Sequence, residues 1–542
     1  MIIDLKNKLV VKIKNKFIGN NDERVLKSLI QECNHSSSRL NKRILFAPGF
    51  NINQQFLNHD IIIASLLRSK GADINYLYGA EQFVCPFPFY GGPWTTGTET
   101  TDIQHLVSCE NKAAKWFSLF SSIHHLKQYV SVKDVEKFQH TVNILSAESI
   151  LTFNWKGIEI GHDVMNVVIN LFLVSDIKLV PNSLHNLRNS LVNSLIYLTF
   201  FEKVIDEIKP DSIFSHDCFY YPWSYLQKLA DRENIPFYNY YPFSSVKDGY
   251  VYTNNKAAML LNTNDLWEKF KSKPLSEKEN AFIENVLKER EKGKIFDQLQ
   301  FRAFNNDLFQ NISSFCNSKP TAVLYGNVVW DLAALDKEIV FKSIRVGFVE
   351  IIKYFISRPQ YNLIIKSHPD EENPIIPVTI EQLETIISEE IGHFPDNVML
   401  LNHKTEITVY DLIPLSKCTI VWTTSVGYES PILGTPTITL ANTHYRNKGF
   451  TIDPGTKDEL FIILPEILNG KKEDFVSLQT MELAKKYMYV FFNYLSYDYG
   501  IPALDLYGNV TSLTRRKSEE YLKNERLNYI LDCIINQQKI EA

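Results

Sequence analysis

The chain has 542 residues, a formal net charge of −5 and an apolar share of 45%, a length too great for one ordinary core and a composition that excludes a disordered chain. So small a net charge supplies no bulk attraction for nucleic acid. No run reaches the roughly 18 to 20 uncharged apolar residues of a membrane span, and the opening residues lack a signal region with a cleavage site, so a cytoplasmic protein is expected.

In chain order, the first 17 residues interleave Lys6, Lys8, Lys12, Lys14 and Lys16 with Leu5, Leu9, Val10, Val11, Ile13 and Phe17. The pattern fits either peripheral contact with an acidic inner-membrane surface or a solvated terminal element. Arg43–Ala47 reads as a buried strand, His59–Ser69 as an amphipathic helix and Ile74–Tyr78 as the next strand, together an opening βαβ unit. Tyr90–Thr101 reads as a loop and Asn111–Ile205 as mostly helical. A second strand-to-helix crossing follows at Asp211–Asp217, with a helix over Trp223–Asn234 and a strand over Pro236–Tyr241. The charged helix Ser276–Lys294 reads as an interdomain element.

From Thr321 the alternation becomes regular. Strands are expected at Thr321–Gly326, Asn362–Lys366, Val398–Leu401, Thr419–Trp422 and Thr437–Leu440. Helices are expected at Lys337–Ile356, Ile380–Ile391 and Val409–Leu415, with another opening near Gly427. Repeated β-then-α units imply a parallel sheet, and the tail from Asp474 to Ala542 is helix-rich. The fold expected is α/β of the GT-B type, two Rossmann-like domains facing a central cleft. Residues 1–312 would form the acceptor-side domain with a helical insertion and 313–470 the nucleotide-sugar-binding domain. Residues 471–542 would form a helical extension packing back on the first.

Open α/β sheets bind ligands outside the carboxyl ends of their strands, which selects four segments. Lys366 and His368 end one strand, where an ammonium and an imidazole suit a nucleotide's phosphates; the alternative is a histidine that only caps the strand. Thr424, Ser425, Gly427 and Glu429 end another. Their hydroxyls, a glycine open to close ligand approach and a carboxylate suited to a ribose diol compete with ordinary helix-capping roles. Asp331 follows the first strand of the second domain and is either a base or nucleophile at an anomeric carbon or the N-cap of a helix after Leu332. Arg446 and Lys448 follow the last strand, where they suit a sugar carboxylate or phosphate, against the solvated-loop reading. Asp217, at a strand end in the N-terminal half, is a second candidate acid.

Metal binding is not expected, because no paired Asp-x-Asp, HExxH or GxxxxGK[ST] occurs. The seven scattered cysteines (Cys33, Cys85, Cys109, Cys218, Cys316, Cys418 and Cys533) have neither CxxC nor Cys/His ligand spacing and read as reduced thiols.

Asn327-Val-Val-Trp-Asp331, Ile365-Lys-Ser-His-Pro369, Thr424-Ser-Val-Gly-Tyr-Glu429 with Gly434-x-Pro436, and Thr443-His-Tyr-Arg-Asn-Lys-Gly-Phe-Thr451 together resemble the capsule polysaccharide biosynthesis proteins that include bacterial retaining β-Kdo transferases. The resemblance covers Thr321–Pro454. It implies a CMP-Kdo donor, no separate cofactor, and a surface polysaccharide or lipid-linked glycan as acceptor. It further implies His368 on the CMP phosphate, Ser425 and Glu429 on the nucleotide, Asp331 as the catalytic carboxylate and Asp217 as an acceptor-side acid. Alternatives are another CMP-nonulosonate donor, a CDP-polyol phosphotransferase of the teichoic-acid type, a nucleotide-sugar epimerase, and a non-catalytic scaffold in a capsule assembly complex.

Overall fold

The computed structural model describes residues 21–34, 40–47, 51, 54–79, 100–216, 218, 222–242, 249–254, 263–291, 294–295, 298–299, 305–331, 334–372, 378–493, 497–502 and 513–541. The lysine-rich opening segment, Cys85, the loop 90–99 and Asp217 lie outside the described residues. Two Rossmann-like α/β units and a C-terminal helical extension make up the chain, as in the GT-B class.

The units are Met1–Leu171 with Asn182–Met259 and Leu495–Ala542, and Phe172–Pro181 with Leu260–Tyr494. The division thus falls elsewhere than at 312 and 470, and aromatic packing gives the reason. Trp267, on the helix Asn264–Phe270, stacks edge-on against Tyr487 at 5.5 Å and Phe450 at 6.3 Å. Thr263 donates to the His444 carbonyl at 2.7 Å. The segment from 260 and the helix Leu478–Asn493 therefore belong to the second unit's core.

In the first unit a seven-stranded sheet runs in the order Tyr497–Asp498, Gly249–Asn254, Phe237–Pro242, Ser212–His216, Arg43–Phe46, Asp73–Tyr78, Ser122–His125. Five neighbouring strands pair in parallel, Gly249–Asn254 runs against them, and the edge strand Tyr497–Asp498 pairs antiparallel with Gly249–Asn254. The sequence reading missed Ser122–His125, a four-residue, half-exposed edge strand without an apolar run. The helix Gln54–Ser69 is buried from Gln55 to Leu67 and ends near Gly71, whose φ of +96° is the left-handed turn that closes it. Against this core pack Leu527, Ile530, Leu531 and Ile534 of the terminal helix Glu525–Asn536.

The second unit carries a five-stranded, wholly parallel sheet in the order Val398–Leu401, Asn362–Lys366, Thr321–Tyr325, Cys418–Val421, Thr437–Thr439. Its central strands are buried along their whole length, as continuous runs such as Ala-Val-Leu-Tyr and Leu-Ile-Ile require of a sheet covered on both faces. Tyr325 pairs with Lys366 and Lys366 with Leu401, while Leu324 pairs with Ile420. The register brings the loops after these strands to one edge.

Candidate functional site

In chain order the strands of the second sheet stand third, second, first, fourth, fifth, so the winding reverses between Thr321–Tyr325 and Cys418–Val421. Such a reversal leaves a crevice at the carboxyl ends of the two strands. A cavity of about 240 Å³ lies there. Tyr325 and Gly326 contribute one wall, Lys366 to Asp370 a second, Thr408 to Tyr410 a third, and Thr424, Ser425, Val426 and Glu429 a fourth, with Arg290 reaching in from the helix Glu277–Glu291.

Close backbone approach shapes the His368 side. Gly326 donates to the Lys366 carbonyl at 2.8 Å. A Cβ at Gly326 would stand 3.1 Å from Leu383 Cδ2 and 3.2 Å from both His368 N and Lys366 O, so glycine lets this loop sit against the His-Pro turn. The Asp370 amide donates to His368 Nδ1 at 3.1 Å. In the neutral ring this leaves the proton on Nε2, making that atom a donor. Buried Lys366 donates to the Asn402 carbonyl at 2.9 Å.

The opposite side is built around a carboxylate. Glu429, 1% exposed, pairs with Arg290 at 2.7 Å through Oε1 and accepts from the Tyr410 hydroxyl at 2.7 Å through Oε2. Arg290 also donates to the Tyr410 hydroxyl and to Ser425 Oγ, each at 3.1 Å. Burial works against the guanidinium's charge, but Glu429, with Tyr410 and Tyr428, outweighs it and holds Arg290 above its ordinary range. Tyr410 stands on a turn of helix opened by a capping box between Thr408 and Asp411.

Behind the His-Pro turn lies a second buried carboxyl, Glu371, 1% exposed. Burial raises its pKa to about 7, opposed by the Leu383 amide at 2.9 Å, Lys366 and Ser367 and aided by Glu384. His403 Nδ1 faces it at 3.7 Å. Because the unfolded carboxyl titrates at the ordinary 4.5, the folded chain holds an extra proton between 4.5 and about 7. The contribution of this group to stability is therefore greatest below 4.5 and is lost as the pH rises through about 7. Glu371→Gln is expected to remove that loss, stabilising the chain at pH 8 by about 2 to 3 kcal/mol relative to its effect at pH 4.5. Urea unfolding of both proteins at the two pH values checks this, and an equal difference at both would refute it.

Of the residues selected from the sequence, Lys366, His368, Thr424, Ser425 and Glu429 line the cavity together. Gly427 does not, and its role is corrected. The place of its missing Cβ lies 2.3 Å from Tyr445 Cζ and Oη, so it admits an aromatic ring and not a ligand. Arg446 and Lys448 lie outside the cavity wall as well. Arg446, 7% exposed, donates to the Thr439 carbonyl at 2.8 Å, Thr439 Oγ1 at 3.1 Å and the Pro454 carbonyl at 2.5 Å. Lys448 is 5% exposed and donates to Asn264 Oδ1. Both cations bind the chain to itself across a turn in which Asn447 and Gly449 take positive φ. Arg446→Ala should accordingly cost about 2 to 3 kcal/mol of stability, measured by thermal unfolding, by stranding two buried carbonyls. Ligand affinity in the variant should remain at the parent value.

Asp331 sits in a turn after the switch-point strand, half-buried and outside the cavity wall. Among the described residues, 334–336 form a turn and the next helix is Ile344–Ile356, capped by Ser343, whose hydroxyl accepts from the Val346 amide at 3.2 Å. Arg290, Tyr410 and Glu371 were not singled out by the sequence reading. Only Tyr410 carries a local signal, the Thr408-x-x-Asp411 box that fixes its short helix. Among the described residues there is no group of three or more His, Cys, Asp or Glu suited to a metal ion, and no helix long and apolar enough to cross a membrane.

Residues 252–461 match the capsule polysaccharide biosynthesis protein family, and every residue lining the cavity falls within that stretch. No curated protein matches the chain. Among solved structures the chain is similar to the β-Kdo 2,4 transferase KpsC of Thermosulfurimonas dismutans, with 13% identity and a TM-score of 0.32 over 51% of this chain and 79% of that one. The β-Kdo 2,7 transferase KpsC of the same organism gives 15% identity and a TM-score of 0.26 over 61% and 89%. The UDP-GlcNAc 2-epimerase of Neisseria meningitidis bound to UDP-GlcNAc gives 11% and 0.23 over 82% and 98%.

Proposed function

We propose that the chain is a glycosyltransferase that moves a sugar from a nucleotide-activated donor to a glycan acceptor, with CMP-Kdo as the donor and a surface polysaccharide or lipid-linked glycan precursor as the acceptor. The observation that carries the proposal is the pairing, in one strand-end cavity, of a histidine whose Nδ1 accepts from the Asp370 amide, so that the neutral ring carries its proton on Nε2, with a buried carboxylate held by Arg290. The first suits a diester phosphate whose oxygen gains charge as the nucleotide leaves. The second suits ribose hydroxyls. The matched family stretch supports the surface-glycan setting.

In this reading the nucleotide occupies the cavity and the sugar projects past its rim. Asp331 acts at the anomeric carbon as base or nucleophile while His368 stabilises the departing phosphate. The test is a donor screen. CMP-Kdo, CMP-sialic acid and CDP-glycerol are each incubated with a capsule-type oligosaccharide, and CMP release and product linkage are followed by NMR. Release of CMP from CMP-Kdo with a new β-linkage is the expected result. Transfer from CMP-sialic acid alone would move the donor to another nonulosonate, and release from CDP-glycerol alone would make the chain a polyol phosphotransferase. No nucleotide binding at all would leave a scaffold, and epimerisation of UDP-GlcNAc without transfer would replace the proposal.

A further inference from the structure

We infer that Arg290 is a positioning residue that fixes Glu429 as the acceptor for the ribose diol of the nucleotide, and so sets the preference for ribose over deoxygenated sugars. The inference rests on the nucleotide-site reading above. Arg290 is reached from a charged helix, Glu277–Glu291, that contributes no other cavity residue. It closes a ring of contacts: Arg290 to Glu429 Oε1 at 2.7 Å, Arg290 to the Tyr410 hydroxyl at 3.1 Å, and that hydroxyl to Glu429 Oε2 at 2.7 Å.

Acceptor arithmetic follows from the ring. Each carboxylate oxygen offers about two lone-pair sites. Tyr410 takes one on Oε2, and Oε1, which Arg290 meets as an ion pair at 2.7 Å, accepts no hydrogen bond among the described residues, so at least one site stays open on each oxygen, the number and spacing that two vicinal hydroxyls require. Burying a carboxylate is costly unless a cation is paired with it, and Glu429, 1% exposed, is paired with Arg290. The guanidinium's fork also holds Ser425 Oγ at 3.1 Å, so the Glu429 side chain and the start of its helix are aligned by one group. Lysine supplies the charge without the fork.

Calorimetric titration of the full chain with CMP and with 2′,3′-dideoxy-CMP tests the assignment in the parent, in Arg290→Gln and in Arg290→Lys. The parent should bind CMP about ten- to a hundredfold more tightly than the dideoxy nucleotide, the range for hydrogen bonds to a charged acceptor. Arg290→Gln should bind both nucleotides alike, at the affinity the parent shows for the dideoxy compound, and Arg290→Lys should regain part of the preference. A loss of affinity for both nucleotides with the ribose preference intact would make Arg290 merely structural and overturn the inference. So would equal preferences in the Gln and Lys variants. A parent that binds CMP without preferring ribose would overturn it while leaving the nucleotide site standing, whereas a parent that binds neither nucleotide would overturn the site reading itself.

Discussion

Gly427→Ala is expected to lower stability by about 3 kcal/mol and to abolish nucleotide binding at temperatures where the parent is fully active. The added methyl would stand 2.3 Å from the Tyr445 ring and hydroxyl, and neither partner has room to yield. Tyr445 is fully buried, its hydroxyl donates to the Thr424 carbonyl at 2.7 Å, and His444 packs edge-on to it at 5.1 Å. On the helix Val426–Ile432 itself, Tyr428 faces Phe491 at 6.0 Å and Tyr487 at 6.2 Å, so the helix is backed by Leu478–Asn493. Relief requires moving that helix, and Ser425 and Glu429 move with it. Thermal unfolding checks the first effect and CMP titration the second; a variant as stable as the parent would show that the contact relaxes at no cost. Tyr445→Ala placed together with Gly427→Ala should cost less than the sum of the two single changes, because the clash and the ring disappear together.

The contrast between Gly427 and Arg290 shows what a sequence can carry. The strands of the second sheet were legible because runs such as Leu363-Ile-Ile365 stop at polar or proline-containing turns, and a parallel sheet buried on both faces leaves that trace. His368, Ser425 and Glu429 were legible because chain order places them just past strand ends, and register then brings those ends together. Arg290 was not. It lies on a helix with five acidic and three basic residues, itself included, and nothing local distinguishes it from Lys288. Its partners Ser425 and Glu429 are more than a hundred positions away, a pairing created only by folding. Gly427 and Arg446 were misread for a related reason. Residue type told correctly that the backbone needs space at one and that a cation is needed at the other, but the groups that use them, Tyr445 and the carbonyls of Thr439 and Pro454, belong to the protein.

Asp331→Ala is expected to lower the turnover rate by about 10²–10⁴-fold, the span a positioned acid–base group supplies, while CMP affinity stays at the parent value. Asp331 sits in a hydrogen-bonded turn: its amide donates to the Val328 carbonyl at 3.1 Å and its carbonyl accepts from Ala334 at 2.7 Å and Leu335 at 3.1 Å. That turn is tied down at several points. Asn327 Nδ2 donates to Thr423 Oγ1 at 2.9 Å and its Oδ1 accepts from the Thr423 amide at 3.3 Å, which joins the two switch-point loops. Trp330 Nε1 donates to Thr379 Oγ1 at 2.9 Å, and Trp422 Nε1 to the Ala334 carbonyl at 2.8 Å. Two buried indoles and an amide clamp thus fix the backbone on either side of Asp331, the support that the proposed reacting group requires. Under the proposed function its place outside the cavity wall suits it, because a donor with its nucleotide in the cavity would carry its anomeric carbon beyond the phosphate. Asn327→Ala, which cuts the clamp and keeps the carboxylate, should reduce turnover in the same direction but less. Equal rates of CMP release by the Asp331 variant and the parent, with donor and acceptor saturating, would remove Asp331 from the reaction, and a variant that lost CMP affinity in parallel would reassign it to the architecture of the cavity.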